Sequence, residues 1–209
     1  MKYIDKKSEP TEFTDWKASW SDVVPGWNEF TGKPIKQTVK AALIEEQGGL
    51  CCFCESRVGM DHGHIAHLRA QSKDADAVLV YDNLLYSCPE NPKIMPQTCG
   101  QAQGDKTPEV TPLDADCEWR FIYTETGAIA PRDENDTQAI RTIRLLNLDD
   151  RKAVFRKDRA HAYQSVEQAR RELTPDDFAK WIDAELKCQS DGTFKPFWTT
   201  IKFAAGLYT

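Results

Sequence analysis

Four cysteines in two spaced pairs, Cys51/Cys54 and Cys88/Cys99, have the clearest chemical potential in this chain. Cys51-x-x-Cys54 is a knuckle spacing at which two thiolates bind one zinc ion. Cys88 and Cys99 would complete a tetrahedral set, closing the loop between Cys54 and Cys88 through the metal. Such a site supplies folding energy that a small, turn-rich module cannot draw from its core. The plainer alternative is four reduced, buried cysteines packing as small hydrophobes, and Cys52 is a neighbouring competitor for the place of Cys51. The odd total of seven cysteines, unevenly spaced, argues against a disulfide framework. Cys117 and Cys188 stand apart, and burial is the default expectation for both.

Three of the four histidines, His62, His64 and His67, fall within six residues. In a strand His62 and His64 share a face and His67 lies opposite, unless the strand ends near Ala66. Imidazole takes a proton near neutral pH and, when neutral, ligates metals. Phosphodiester hydrolysis needs both jobs: a base for water, and a cation for the charge on phosphate and leaving oxygen. The competing readings are a second structural metal site, a three-histidine zinc hydrolase, or a surface cluster. Downstream, Asn83 in Tyr81-Asp82-Asn83-Leu84-Leu85 is either a turn residue or a side chain that orients an imidazole through its second nitrogen.

Elements must position these groups. Residues 1–33 read as an irregular arm with short helical pieces, anchored by Trp16, Trp20 and Trp27. Ile35–Gln47 has helical spacing, with Pro34 at the start and Gly48-Gly49 as the stop, and delivers the chain to Cys51. From Gly59 to Lys106 turns and short apolar runs alternate, and the glycines after Cys99 permit close backbone approach. Residues 119–123 and 128–130 read as a second hairpin. Helices follow: Ile140 to Leu148, then one capped by Asp149 or Asp150 running to Leu173, one starting at Thr174, and one from Phe194 to Leu207.

The order Cys-x-x-Cys, His-Ile-x-His-x-Arg, Tyr-Asp-Asn-Leu-Leu-x-Ser-Cys, Cys-Gly resembles the HNH endonucleases with a ββα-metal finger. More narrowly, it resembles the HNH proteins of the Septu anti-phage system and related retron systems. The opening Met1–Lys6 and the phrase Leu43–Cys51 fit as well, and the close match covers about residues 35–106. The fold this implies is α+β, mainly α: a zinc-stapled ββα-metal finger in a helical body with a small β-hairpin. The expected division is an arm at 1–34, the finger with its zinc site at 35–110, and a hairpin and helical region at 111–209.

The resemblance implies roles. Cys51, Cys54, Cys88 and Cys99 would hold structural Zn²⁺. His67 would be the general base, Asn83 would orient it, and His64 would assist a catalytic Mg²⁺ or Mn²⁺ or sit behind it. Arg69 and Lys106 would meet nucleic acid, Arg69 through the planar fork suited to phosphate. The implied activity is hydrolysis of nucleic acid, DNA favoured, as effector of an anti-phage complex. An ABC/SMC-like ATPase is the implied partner, and in retron systems also a reverse transcriptase with its RNA–DNA product.

The chain departs from the family at three places. Ala66 stands where a metal-binding glutamate is usual, Ala70 where proline is common, and Gly100–Gln103 offers no strong ligand at the third motif position. Alanine in place of a carboxylate removes a charge that a hard cation prefers. Either the residue was replaced to inactivate the protein, or the chain has lost or relocated catalysis. The second outcome would leave a non-catalytic zinc-finger scaffolding or binding module.

Composition neither adds to nor forbids this. No apolar run approaches the roughly 20 residues of a membrane span, and no signal-like stretch opens the chain, so a cytoplasmic protein is expected. The net charge of −6 is unusual for a nucleic-acid binder. Its distribution is uneven: residues 137–209 carry 13 Lys and Arg against 10 Asp and Glu, and residues 1–136 carry 14 against 23. The densest basic stretch, Arg141 to Arg159, reads equally as a solvated helix face or a backbone-contacting surface. The tryptophans of the arm and Phe197, Trp198, Phe203 and Tyr208 read as core edge or as docking surface.

Overall fold

The structure, a computed structural model, describes residues 1–20, 25–89 and 97–208. Residues 21–24 of the expected arm, 90–96 of the turn-rich module and Thr209 lie outside the described residues. The chain is α+β and mainly helical, with two small antiparallel strand pairs. No helix among the described residues is long and apolar enough to cross a membrane.

The arm carries two short helices, α1 (Thr11–Ala18) and α2 (Trp27–Phe30). Their aromatics interlock: Trp16 lies 5.9 Å from Phe30, and Trp27 lies 5.1 Å from Phe30, centroid to centroid. Trp16 and Trp27 are therefore core edge, packed around the fully buried Phe13 and Phe30. Helix α3 (Ile35–Glu46) presses Val39 and Leu43, four residues apart on one face, into the same core. It stops at Gly48 and Gly49, with φ of 60° and 70°. A Cβ at Gly48 would lie 2.3 Å from a ring carbon of Phe194, so backbone conformation and packing both demand glycine there.

Strands β1 (His64–His67) and β2 (Leu84–Ser87) pair antiparallel, His64 opposite Ser87 and His67 opposite Leu84. A five-residue helix, α4 (Cys99–Gln103), follows them in the chain. Strands β3 (Phe121–Tyr123) and β4 (Ile129–Pro131) make the second pair. Helices α5 (Thr137–Leu145), α6 (Val154–Glu172), α7 (Pro175–Leu186) and α8 (Trp198–Ala204) complete the chain. One large core joins Phe13, Phe30, Leu43, Phe53, Tyr86, Phe121, Leu146 and Phe155. A smaller one, with Val166, Ile182 and Ile201, sits among α6, α7 and α8.

Several helix boundaries differ from expectation, each for a local reason. Asp136 caps α5, its side chain accepting from the Ala139 N–H at 3.0 Å. Asn147, at φ 50°, then turns the chain, so Leu146 and Leu148 fall past the helix yet remain fully buried. Neither Asp149 nor Asp150 caps α6, which begins after Ala153. The Asp149 carboxylate instead accepts from the Ile129 N–H, and that of Asp150 accepts from the Lys152 N–H. The last helix is shorter than expected because Phe194–Phe197 docks on the cysteine turn. There the Phe194 N–H donates to the Gly48 carbonyl at 2.9 Å and the Phe197 N–H to the Glu55 carbonyl at 3.1 Å.

The basic stretch is partly architecture. Arg159 is 2% exposed and donates to the carbonyls of Gly127 and Leu148 at 3.0 and 3.1 Å, clamping the β3–β4 turn onto α6. Arg156 is tied to Asp149 at 2.9 Å. Cys117 is buried as expected, whereas Cys188 is exposed, because it lies in the turn after α7.

Candidate active site and metal cluster

The cysteine turn follows directly from the glycine stop of α3. The Cys51 N–H donates to the Ser56 carbonyl at 2.8 Å and the Glu55 N–H donates to the Cys51 carbonyl at 3.0 Å, folding residues 51–56 into a tight loop. Glu55 takes φ 64° within it, and its buried carboxylate accepts from the Thr199 N–H at 2.8 Å. Cys88 arrives at the end of β2. Cys99 opens α4 at φ 56°, its N–H held by the Leu146 carbonyl at 2.9 Å.

The sulfurs of Cys51, Cys54, Cys88 and Cys99 all lie within 4.8 Å of one another. Cys52 is outside the group; its N–H donates to the Tyr86 carbonyl at 3.0 Å, and burial pushes its thiol pKa up. Crowding sets Cys51, Cys88 and Cys99 apart from one another. Cys51 is held well below the usual range, its neighbours' hydrogen bonds outweighing burial, while hydrogen bonding with Cys51 pushes Cys88 and Cys99 up. Four convergent soft donors, mostly buried, are placed to hold one metal ion. Among the described residues no other group of three or more His, Cys, Asp or Glu side chains converges in this way. The three-histidine metal site is thereby set aside.

Beside the cluster lies a cleft of about 610 Å³, walled by Trp27 of α2, Lys36 and Lys40 of α3, His64 to His67 of β1, and Gly100, Gln101 and Gln103 of α4. The histidine cluster divides here. His64 and His67 line the cleft, while His62 is exposed in an isolated bridge with Gly59. His64 Nδ1 lies 2.6 Å from the Cys88 carbonyl and donates to it, so Nε2 carries the lone pair. A Cβ at Gly100 would lie 3.0 Å from that Nε2 and 3.0 Å from the Ala66 methyl, so any side chain there would crowd both.

His67 is held differently. Its Nε2 lies 3.0 Å from the Val78 carbonyl and must donate, leaving Nδ1 to accept from the Gln71 amide at 3.1 Å. The Trp27 ring stands edge-on at 4.6 Å. Burial lowers the His67 pKa below 6.5, outweighing the opposing pull of the Val78 carbonyl, and His64 lowers it further.

Asn83 does not touch this ring, contrary to expectation. Its Oδ1 accepts from the Arg69 N–H at 2.7 Å, and its Nδ2 donates to the carbonyls of Arg69 and Ala77, both at 3.0 Å. All its polar capacity goes into the loop after β1. The same loop carries Val78, whose carbonyl meets His67 Nε2. Gln103 braces the same region by donating to the carbonyls of His67 and Leu68 at 2.9 and 3.0 Å. Arg69 is outside the cleft and pairs with Asp74 at 3.0 Å. Lys106 is exposed just beyond it, lining a neighbouring groove.

Gln71, Lys36 and Lys40 complete the cleft without having been singled out in the sequence, and Trp27, singled out there only as core edge or docking surface, forms one wall. Lys36 and Lys40 had a readable signal, four residues apart on the helix entering the knuckle. Val78 contributes a backbone oxygen, which no residue type announces.

A hard divalent cation is poorly served by this donor set. Ala66 offers none, and the carboxylate lining the cleft, Asp105, is exposed and 3.5 Å from the Lys73 ammonium. Mg²⁺ and Mn²⁺ favour carboxylate and water oxygens over a lone imidazole. The residues present do not fit the catalytic cation that the resemblance implies.

No family model matches the chain. It is 28% identical over 134 residues, 62% of its length, to a protein of Vibrio cholerae serotype O1 biovar El Tor whose name places it with retron Vc95 and the HNH endonucleases. The aligned region spans 59% of that relative's own length.

Proposed function

We propose that the chain is an HNH-type endonuclease, acting on the phosphodiester backbone of nucleic acid within a retron-linked defence complex. Zn²⁺ in the Cys51/Cys54/Cys88/Cys99 cluster would be its structural metal, for which four thiolates are the ordinary donor set. The observation that carries the reading is the β1–β2–α4 order. It brings His64 and His67 into one cleft against the four-cysteine cluster. The named relative points the same way.

The chemistry assigned to this chain's residues starts at His67. Burial keeps its ring neutral at physiological pH, and the Val78 carbonyl fixes the proton on Nε2. Nδ1 is therefore the basic atom. To act, it exchanges the Gln71 amide for a water and takes that water's proton; the oxygen attacks phosphorus, the bond to the leaving oxygen breaks, and the leaving oxygen takes a proton from solvent. In the neutral ring of His64, whose Nδ1–H is held by the Cys88 carbonyl, the Nε2 lone pair is free to face the cleft. DNA is the substrate the resemblance favours. The acidic chain is proposed to draw much of its affinity from an ABC/SMC-like ATPase and, in a retron setting, from a reverse transcriptase with its RNA–DNA product.

Ala66 favours a second reading, a binding module that holds nucleic acid without cutting it. Supplying the carboxylate separates the two. With Ala66→Glu the enzyme reading expects Mg²⁺- or Mn²⁺-dependent cleavage well above the parent chain. Binding with no cleavage in either form favours the module.

A further inference from the structure

Next to the cleft is a groove of about 420 Å³ lined by Lys106, Thr107, Glu109, Arg141, Arg144 and Leu145. Its shape follows from one hydrogen bond. The Val110 N–H donates to Thr142 Oγ1 at 2.9 Å, seating the segment after α4 against α5. Ala139, Thr142 and Ile143 are the buried face of α5, which leaves Arg141 and Arg144, three residues apart, on its exposed edge beside Lys106.

Three cations meet one carboxylate there. Arg141 is paired with Glu109 at 3.1 Å, but both stay exposed. Lys106 and Arg144 have no ion-pair partner among the described residues. The groove adjoins the cleft along the chain, since Gln103, Gly104 and Asp105 line the cleft and Lys106, the next residue, lines the groove. In a chain of net charge −6, this local excess is opposed to the overall field.

Resting on the reading of the cleft as a phosphodiester site, we infer that this groove is a second phosphate-binding surface. It holds the backbone of the nucleic-acid strand that leaves the cleft, chiefly through Lys106 and Arg144. An exposed ammonium and guanidinium suit phosphate oxygens, and each contact releases counterions, so the interaction is written in the salt dependence.

The test is fluorescence anisotropy of a labelled 30-base-pair duplex and a 30-nucleotide single strand, titrated with the full chain across a KCl series. The proteins are the parent chain, Lys106→Ala/Arg144→Ala, and a control, Arg151→Ala/Lys157→Ala. The control removes equal charge from exposed positions lining another basic groove, beside α6. The groove variant should shallow the log–log salt slope by about 1.8 on duplex, or about 1.4 on single strand, with the control unchanged. An equal loss in both variants, or no loss in the groove variant while the parent binds, overturns the groove and leaves the cleft reading standing. A parent chain that binds neither probe overturns the groove as a binding surface of this chain, while the cleft reading stands or falls on the Ala66→Glu cleavage comparison.

Discussion

The imidazole of His64 donates from Nδ1 to the backbone carbonyl of Cys88 at 2.6 Å, joining a cleft residue to a residue of the cysteine cluster. Cys88 is fixed from the other side by the cluster, where its sulfur lies 3.3 Å from that of Cys54. A metal ion that draws the four thiols together therefore also sets the carbonyl that orients His64. With a metal bound, the cluster would be both a staple for folding and a reference point for the cleft.

Metal content checks the first part of this. The chain should purify with one zinc per molecule, and Cys54→Ser or Cys99→Ser should lose the metal and much of the cooperative unfolding transition. Structural zinc contributes on the order of 10 kcal/mol in small domains, so the effect should be large. A metal-free parent chain, or a Cys99→Ser protein melting like the parent, would contradict the assignment.

The pH dependence of any cleavage should carry the mark of burial at His67. Its folded pKa is below the ordinary 6.5, so the neutral ring persists to lower pH than an exposed histidine allows. The acid limb of the rate should therefore lie below pH 6.5. Trp27→Ala, by admitting water beside the ring, should move that limb upward. The same shift contributes stability above the unfolded value that is lost as pH falls through the folded one. An acid limb above 6.5 in the parent would place the titrating group elsewhere.

Asn83→Ala should act mainly on structure. It leaves the part-buried Arg69 N–H and the buried Ala77 carbonyl without their side-chain partner, at a cost of about 2 kcal/mol. Denaturant midpoints measure the loss. Faster amide exchange at residues 69–78 would localise it to the loop that presents Val78 to His67. A stability change below about 0.5 kcal/mol, within the range of an ordinary surface substitution, would show that the three hydrogen bonds do not hold the loop.

The sequence made the helices and the cysteine set readable because both rest on local pattern. Val39 and Leu43 repeat at helical spacing before a double glycine, and Cys51-x-x-Cys54 is a spacing signal in itself. What it could not show was partner choice. Asn83 next to an apolar run is compatible with orienting a ring or with bracing a loop, and only the positions of Arg69 and Ala77 decide between them. Trp27 meets His67 across forty residues of chain, and the Val78 carbonyl carries no sequence signature. Asp149 has the residue type of a cap for α6 but is drawn across to Ile129 by tertiary contact. Arg159 likewise reads as a surface cation until the carbonyls of Gly127 and Leu148 are seen to enclose it.

The central claim is that His67 is the base of a phosphodiester-cleaving cleft, and the most direct measurement removes it where cutting is strongest. In Mg²⁺ or Mn²⁺, single-turnover cleavage by the Ala66→Glu protein is compared with Ala66→Glu/His67→Ala, both confirmed folded and zinc-loaded. The account predicts cleavage by the first and a loss on the order of 10²–10⁴-fold in the second, the range a positioned general base contributes. Equal rates in the two proteins would contradict it.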